Sequence, residues 1–286
     1  MIKLENVVLA SPEQMEFVIQ GMRNPMNSWE KSDSSTLYDG DHYFRLGAND
    51  HELMQRLAKA GTDHRKYMRM MPVYVRITAP LYWWKEFDTY KVGTVSNSCS
   101  TMHKIQAKEF TLEDFSCEHL LMRGTLQMEL YAATVCAPTI DGNVQWTSLT
   151  CMLSTIAMLN KLRKQYCQSK SKDDWWKMIQ LLPSSYNQTR NVMLNYEVLA
   201  NIYMSRKNHK LDEWREFCKW IETLPYFELI TESVSTVSKQ SIIDILKSGH
   251  TDEEIVDRLC ELTGFNYSTP EEYSKDHPDG EENNNA

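Results

Sequence analysis

Several signature patterns are missing from this chain of 286 residues. It has no Gly-rich GxGxxG or GxxxxGK[ST] loop, which excludes the usual dinucleotide-binding and P-loop phosphate sites. It has no HExxH sequence, and its seven cysteines include no CxxC pair, so the common zinc sites are absent too. Because the cysteines are odd in number and widely spaced, we expect reduced thiols and a cytoplasmic protein.

Long apolar runs and clusters of positive charge are scarce as well. No stretch reaches the roughly 18 apolar residues of a membrane span, and the first residues lack the pattern of a secretory signal. The formal net charge is -8, and the segment 270–286 alone holds six acidic residues and one lysine. The rest is nearly neutral, so we expect no membrane partner and no nucleic-acid partner, although a local anion pocket is compatible with this charge.

The first third of the chain alternates between strand and helix patterns. "IKLENVVLA" predicts a strand, and Ser11, Pro12 and Gln14 then supply a helix cap, a first-turn proline and a capping box. Residues 23–44 are too rich in Asn, Ser and Asp to predict regular structure, and a helix follows that ends at Gly61. "PVYVRITAP" predicts a second strand, and its final proline starts the helix "LYWWKEFDTYK".

The second half of the chain carries apolar residues at helical spacing. Four helical segments are predicted, at 111–135, 146–166, 194–209 and 211–224. We therefore predict an α+β fold: a single domain over residues 1–269, with a small mixed or antiparallel sheet and a predominantly helical second half, followed by a disordered acidic tail at 270–286. The tryptophans at helical spacing are expected to pack in its core.

One polar run, "SNSCSTMH" at 96–103, gathers hydroxyls, an amide, a thiol and an imidazole. A surface loop explains it, because Ser and Asn favour turns. A nucleophile–base pair of Cys99 and His103 is the alternative, since a four-residue offset aligns two side chains on a helix. Cys117 and His119 are only two residues apart and would point to different helix faces, so we expect no metal site there.

Two segments carry polar residues at characteristic spacings. In "ITAPLYWWKEFDTYKVGTVSNSCSTMH" a strand and an Ala-Pro helix start precede Asn97 and Ser100, and His64 lies upstream of the strand. In "LPSSYNQTRNVMLNYEVLANIYMSR" an Asn follows the Pro by twelve residues, a second Asn lies six further on, and an Arg five beyond it. These last three residues are Asn195, Asn201 and Arg206.

Together the two segments resemble the flavin-dependent thymidylate synthases. In that family an Ala-Pro helix start leads to Arg-His-Arg, seven residues and a Ser, with Asn-Glu before this Ser and Arg-Tyr after it. The resemblance implies FAD as cofactor, NADPH and methylenetetrahydrofolate as co-substrates, dUMP as the pyrimidine nucleotide, and a homotetramer. It assigns Ser100 and Arg206 to nucleotide binding and catalysis. It assigns five residues to the cofactor: His64, Lys91, Asn97, Asn195 and Asn201.

The chain departs from the family motif at several positions. Tyr90, Val92 and Met102 stand where the family has arginines, Ser98 replaces the motif Glu, and Ile179 replaces a further nucleotide-binding Arg. Residues of the loop 23–44 are candidate substitutes for the lost anion contacts: Arg23, Asn24, Ser28, Lys31 and Ser34. Two other functions stay open, namely a different pyrimidine-nucleotide transferase that uses Cys99, and a non-catalytic nucleotide-binding homologue.

Overall fold

The computed structural model describes residues 2–120 and 148–231. Its strands form a four-stranded sheet, in the order β1-β4-β6-β5, and a separate two-stranded hairpin of β2 and β3. Every pairing is antiparallel. The strands are β1 (Lys3–Leu9), β2 (Ser35–Asp39), β3 (Asp41–Arg45), β4 (Pro72–Pro80), β5 (Val95–Ser98) and β6 (Asn187–Asn195).

The helices precede, connect and follow these strands. They are α1 (Pro12–Arg23), α2 (Ala48–Lys59), α3 (Leu81–Phe87), α4 (Thr101–Lys104), α5 (Ser148–Ser169), α6 (Lys172–Leu181), α7 (Tyr196–Arg206), α8 (Asp212–Ile221) and α9 (Glu228–Thr231). The predicted α+β class is thus confirmed. Within the described residues, no helix is long and apolar enough to cross a membrane.

Among the described residues, the sheet packs one face against helices, and its other face is exposed. In β4, Val73, Val75 and Ile77 are buried, whereas the alternate residues Tyr74 and Arg76 are exposed. This alternation is the pattern of an antiparallel sheet with one covered face. The predicted site residues Asn97 and Asn195 therefore lie on strands of a sheet that has an exposed side among the described residues.

Aromatic residues dominate the core beside α3. Trp83, Trp84 and Trp214 are almost fully buried, and Trp83 packs with Phe87 and Phe217 at ring-centroid distances of 5.0 and 5.7 Å. These rings join α3 to α8, so the core interpretation of these three tryptophans is confirmed. A second apolar cluster, centred on α5, packs against α6 and the residues that precede Ser116.

Several elements differ from the sequence predictions. The segment 23–44 contains the strand β2 and most of β3, and β6 lies where no strand was predicted. Residues 111–120 form two short 3₁₀ turns rather than the start of a long helix. The remainder of that predicted helix, as well as the acidic tail, lies outside the described residues, so the domain boundaries stay a prediction.

Candidate functional site

Helix α7 carries two of the predicted site residues, Asn201 and Arg206, and a third, Asn195, caps its start. The Asn195 side-chain oxygen accepts a hydrogen bond from the Val198 backbone N–H at 3.0 Å, as an N-cap residue does. Asn195 also packs against Gly93, which has φ +80°; a Cβ at position 93 would lie 2.8 Å from the Asn195 amide nitrogen. Asn195 thereby holds the loop after α3 against the start of α7.

Arg206 ends α7 inside a polar and aromatic cluster. Its Nε donates to the Tyr90 hydroxyl and its Nη1 donates to Glu86, both at 2.9 Å. The guanidinium also lies over the Trp214 ring, 4.9 Å from the centroid. The cation that sequence analysis assigned to nucleotide binding is therefore paired with a carboxylate, and only 21% of its side chain is exposed.

Glu86 is the centre of this cluster, and its position in the sequence gave no indication of that role. Its Oε2 accepts from Arg206 and also from the Trp214 indole N–H at 2.8 Å, and it lies 3.4 Å from His209 Nε2. The Glu86 carboxylate thus already accepts from the Arg206 nitrogen that faces it. It therefore competes with any phosphate for Arg206.

Asn201 and His64 lie in a second group, which is connected by arginines. The Asn201 side-chain oxygen accepts from Arg65 Nη2 at 3.1 Å, and Arg65 directly follows His64 in the chain. Arg65 and Arg69 both approach the buried carboxylate of Glu197, in the first turn of α7. The hydrogen bond from Arg69 to Glu197 raises the pKa of Arg69.

Sequence analysis missed the two arginines of this group. The available signal was the run "HRKYMR", which is strongly basic within an acidic chain. The contact of these arginines with Glu197 depends on tertiary structure, because Glu197 follows Arg69 by 128 residues in the sequence.

The polar run 96–103 is an edge strand followed by a capped helical turn. Asn97 and Ser98 belong to β5, where Asn97 is exposed opposite Asn191 of β6. The Ser100 hydroxyl accepts from the His103 backbone N–H at 3.1 Å and so caps the four-residue α4. The hydroxyl-rich composition therefore has a structural use at Ser100, and the phosphate role of Ser100 remains a prediction.

Lys91 lines a small cavity between α3 and β5. The cavity has a volume of about 370 Å³, and its lining also includes the hydroxyl residues Thr94 and Ser96. Asp88 lines it too, but this carboxylate pairs with Arg190 at 2.7 Å. The Thr94 hydroxyl donates to the Tyr90 carbonyl, so Lys91 and the Ser96 hydroxyl are the lining donors suited to a phosphate or another small anion.

The thiols differ in their surroundings. Cys99 and His103 are both exposed, and no hydrogen bond joins them within the described residues. Burial raises the pKa of the Cys117 thiol, and it raises the pKa of Cys218 to about 12, which makes both inert as nucleophiles. Cys99 is exposed, as are Cys151 and Cys167, but among the described residues no side chain forms a hydrogen bond with its thiol.

The loop after α1 has a structural ion pair at its centre. Arg23 Nε donates to Asp50 at 2.6 Å, and Asp50 also accepts from the hydroxyls of Ser32 and Ser34 at 2.8 and 2.6 Å. Arg23 is only 5% exposed and already neutralised. Two of the loop residues expected to replace the motif arginines, Arg23 and Ser34, therefore bind Asp50 and stabilise the loop itself.

Comparisons with known proteins identify the fold. No protein-family model matches the chain, and no curated protein matches its sequence. A crystal structure of flavin-dependent thymidylate synthase ThyX from Helicobacter pylori, complexed with FAD and dUMP, matches 82% of this chain and 99% of its own, with a TM-score of 0.52 and 18% identity. The fold is that of a flavin-dependent thymidylate synthase. The family resemblance inferred from the two sequence segments is therefore confirmed at the level of fold.

A second structure with this thymidylate synthase fold broadens the comparison. The UMP/dUMP methylase PolB from Streptomyces cacaoi, bound with 5-Br dUMP, matches 82% of this chain and 97% of its own, with a TM-score of 0.50 and 15% identity. On the shared fold, the predicted residues of this chain form separate groups. His64 and Asn201 are linked through Arg65, while Arg206 contacts Tyr90, the neighbour of Lys91. Among the described residues, no hydrogen bond connects these two groups.

Within the described residues, no group of three or more His, Cys, Asp or Glu side chains is arranged to hold a metal ion. His119 instead pairs with Asp212 at 2.9 Å, away from the buried Cys117 thiol.

Proposed function

We propose that the protein is a flavin-dependent methyltransferase of the thymidylate synthase type, which converts dUMP to dTMP. The observation that carries this proposal is the shared fold over 82% of the chain, since one similar structure was solved with FAD and dUMP and the other with 5-Br dUMP. Methylenetetrahydrofolate would provide the carbon and NADPH would return the flavin to its reduced state. Bound FAD would supply the hydride for the reductive step.

The polar residues of this chain fit a flavin nucleotide. Asn201 keeps its side-chain NH₂ group available, because among the described residues only its oxygen has a hydrogen-bond partner, Arg65. Lys91 and the Ser96 hydroxyl beside it are donors for an anionic group. We assign His64, Lys91, Asn97, Asn195 and Asn201 to the cofactor. Asn195 would act mainly by positioning α7 and the loop at Gly93, as its capping bond supports.

The nucleotide would be held by Arg206 and Ser100. Arg206 has one terminal nitrogen, Nη2, without a hydrogen-bond partner in the described residues, and a phosphate oxygen is a strong acceptor for it. Ser100 would orient the phosphate through its hydroxyl or through the backbone N–H groups at the start of α4. Both residues act by binding and orientation, and no enzyme thiol is required.

A homo-oligomer, with a tetramer as the expected form, belongs to the same proposal, as does a cytoplasmic location. The groups at His64 and at Arg206 carry no mutual hydrogen bond in the described part of one chain. An assembly in which neighbouring protomers complete each site accounts for such separated groups. Light scattering of the purified protein measures the mass directly, and we expect about four times the 33.5 kDa of one chain.

The experiment that tests the proposal is a titration with FAD. Purified protein freed of cofactor should bind added FAD with a shifted flavin absorbance spectrum and quenched flavin fluorescence. If FAD stays unbound at concentrations well above the dissociation constants of typical flavoproteins, the flavin part of the proposal is contradicted.

A non-catalytic nucleotide-binding protein is the second candidate. It is favoured by the absence of arginine at Tyr90, Val92 and Met102 and by the pairing of Arg206 with Glu86. Such a protein binds dUMP in a calorimetric titration but forms no dTMP when FAD and the co-substrates are present.

A further inference from the structure

Arg65 is an unusual buried cation. Its residue is only 5% exposed, and its Nε is buried and has no hydrogen-bond partner in the described part of the chain. The Glu197 carboxylate is the nearest anion, with Oε1 at 3.5 Å from this Nε. Burying a donor without a partner costs roughly 1–3 kcal/mol, so an orphan of this kind in a folded protein calls for an explanation.

Arg69 shares the same carboxylate with much better geometry. Its Nε and Nη2 both donate to Glu197, the second at 3.2 Å, and 46% of its side chain is exposed. Two guanidinium groups thus face one carboxylate, and the charge of a second carboxylate, Asp63, also acts on Arg69. The Nη1 groups of both arginines have no hydrogen-bond partner among the described residues.

The surroundings add positive charge. Lys66 lies between the two arginines in the chain and is exposed, as are His64 and Asn201, whose NH₂ group has no hydrogen-bond partner in the part of the chain that the structure describes. Asp63 is the acidic residue of this short segment. In a chain of net charge -8, this is a local positive region that attracts anions.

We infer that Arg65 and Arg69, held over Glu197, form a binding site for a phosphate or diphosphate group. Guanidinium groups bind phosphate oxygens in a bidentate manner, and they remain charged at every physiological pH. Glu197 fixes the orientation of the two side chains, as a supporting carboxylate does for other anion-binding arginines. The inference rests on the proposed function in taking this anion to be the phosphate part of FAD, with the dUMP phosphate as the other source of the same chemistry.

The test measures the affinities of FAD, riboflavin, dUMP and inorganic pyrophosphate for wild-type protein and for Arg69→Gln. Riboflavin carries the same ring system as FAD but no phosphate. The matched control is Arg215→Gln, because Arg215 is also 46% exposed and also pairs with a single carboxylate, Asp212. We expect Arg69→Gln to lower the affinity for FAD and for pyrophosphate about ten- to a hundredfold, which is the effect of losing a charge-assisted hydrogen bond. The affinity of Arg69→Gln for riboflavin should equal that of wild type, and Arg215→Gln should bind every probe with wild-type affinity.

Arg69→Lys and Arg65→Lys complete the series. They keep the charge but lose the fork of donors, so they should bind FAD with intermediate affinity. Thermal unfolding of each variant establishes that the protein is folded. A variant that is folded but has wild-type affinity for every probe would show that the arginines form only an internal ion network, and an equal loss for riboflavin would exclude a phosphate contact.

The remaining outcomes separate this inference from the proposed function. If Arg69→Gln weakens dUMP instead of FAD, the phosphate site stands and the nucleotide substrate occupies it. If wild-type protein binds pyrophosphate through Arg69 but binds no FAD, the site stands and the flavin-dependent function falls. If FAD binds tightly and equally to both proteins, the function survives and the inference about Arg65 and Arg69 is overturned.

Discussion

Arg206 is the residue at which a structural and a functional role compete. The Glu86 carboxylate occupies the guanidinium nitrogen that faces it, at 2.9 Å, and Tyr90 occupies another. If Arg206 binds the nucleotide phosphate, Arg206→Ala should weaken dUMP binding by about 1.5–3 kcal/mol, the range for a hydrogen bond to a charged group.

Glu86→Gln is the matched variant for Arg206, because it removes the competing charge and keeps the arginine. It should strengthen dUMP binding, whereas Arg206→Ala weakens it, and calorimetry measures both. The pair itself is partly exposed and should contribute only about 0.2–1 kcal/mol to stability. Unchanged dUMP affinity in both variants would mean that Arg206 serves only to join α7 to α3.

Ser100 and Cys99 are neighbours with opposite expectations. Ser100→Ala should lower dUMP affinity and also loosen α4, because the hydroxyl caps this helix. Cys99→Ser should leave turnover within a few-fold, since reduced flavin makes a thiol adduct unnecessary. Calorimetry with dUMP tests the Ser100→Ala prediction, and steady-state rates of dTMP formation test the Cys99→Ser prediction. A loss of several orders of magnitude in Cys99→Ser would instead establish a thiol-dependent transfer.

At the scale of elements, the connection between α1 and β2 depends on a single carboxylate. Asp50 accepts hydrogen bonds from Arg23, from the Ser32 and Ser34 hydroxyls, and from two backbone N–H groups. Asp50→Ala leaves Arg23 buried without its partner, which typically costs about 3–5 kcal/mol of unfolding free energy. Asp88→Asn is the control, because Asp88 is about half exposed and should cost under about 1 kcal/mol.

The same carboxylate predicts a pH dependence. Burial alone would raise the pKa of Asp50, but hydrogen bonds from Ser34 and Ser32 and the ion pair with Arg23 outweigh it, so its pKa lies below the ordinary value. A lowered folded-state pKa adds stability above the unfolded-state pKa of about 4, and this stability is lost as pH falls through the folded-state value. Urea unfolding at pH 6 and near pH 3 should therefore show a smaller acid-induced loss in Asp50→Ala than in wild type.

The elements that sequence could predict have strong local signals. The α1 start is confirmed in detail, because Ser11 and Gln14 exchange the two hydrogen bonds of a capping box. Strand β4 matches its predicted bounds because Val73, Val75 and Ile77 alternate with polar residues. Here local chemistry and tertiary packing favour the same structure.

The strands that were missed are polar and depend on their partners. β5 is fully exposed along its length and is held by its backbone pairing with β6. β6 itself begins with the polar residues Asn187, Gln188 and Thr189, and asparagine is also common in turns. Such strands form because a neighbouring strand offers backbone hydrogen bonds, and the local sequence pattern does not predict this pairing.

For the whole molecule, the sequence predicted candidate site residues but not the charged groups that pair with them. Asn195, Asn201 and Arg206 do lie on or at the start of one helix, at the spacings that suggested the resemblance. Their charged partners are remote: Glu86 precedes Arg206 by 120 residues. Pairing of this kind follows from the packing of α3, α7 and α8, which a single sequence does not reveal.

The proposed reaction adds a methylene carbon to dUMP and reduces it with a flavin. To test it, purified protein freed of cofactor is incubated anaerobically with FAD, NADPH, methylenetetrahydrofolate and dUMP, and dTMP is detected by mass spectrometry. We expect dTMP to accumulate, its formation to cease when FAD or NADPH is omitted, and Cys99→Ser still to produce it. Formation of dTMP without flavin, or no dTMP from protein that binds both FAD and dUMP, would contradict the proposed reaction.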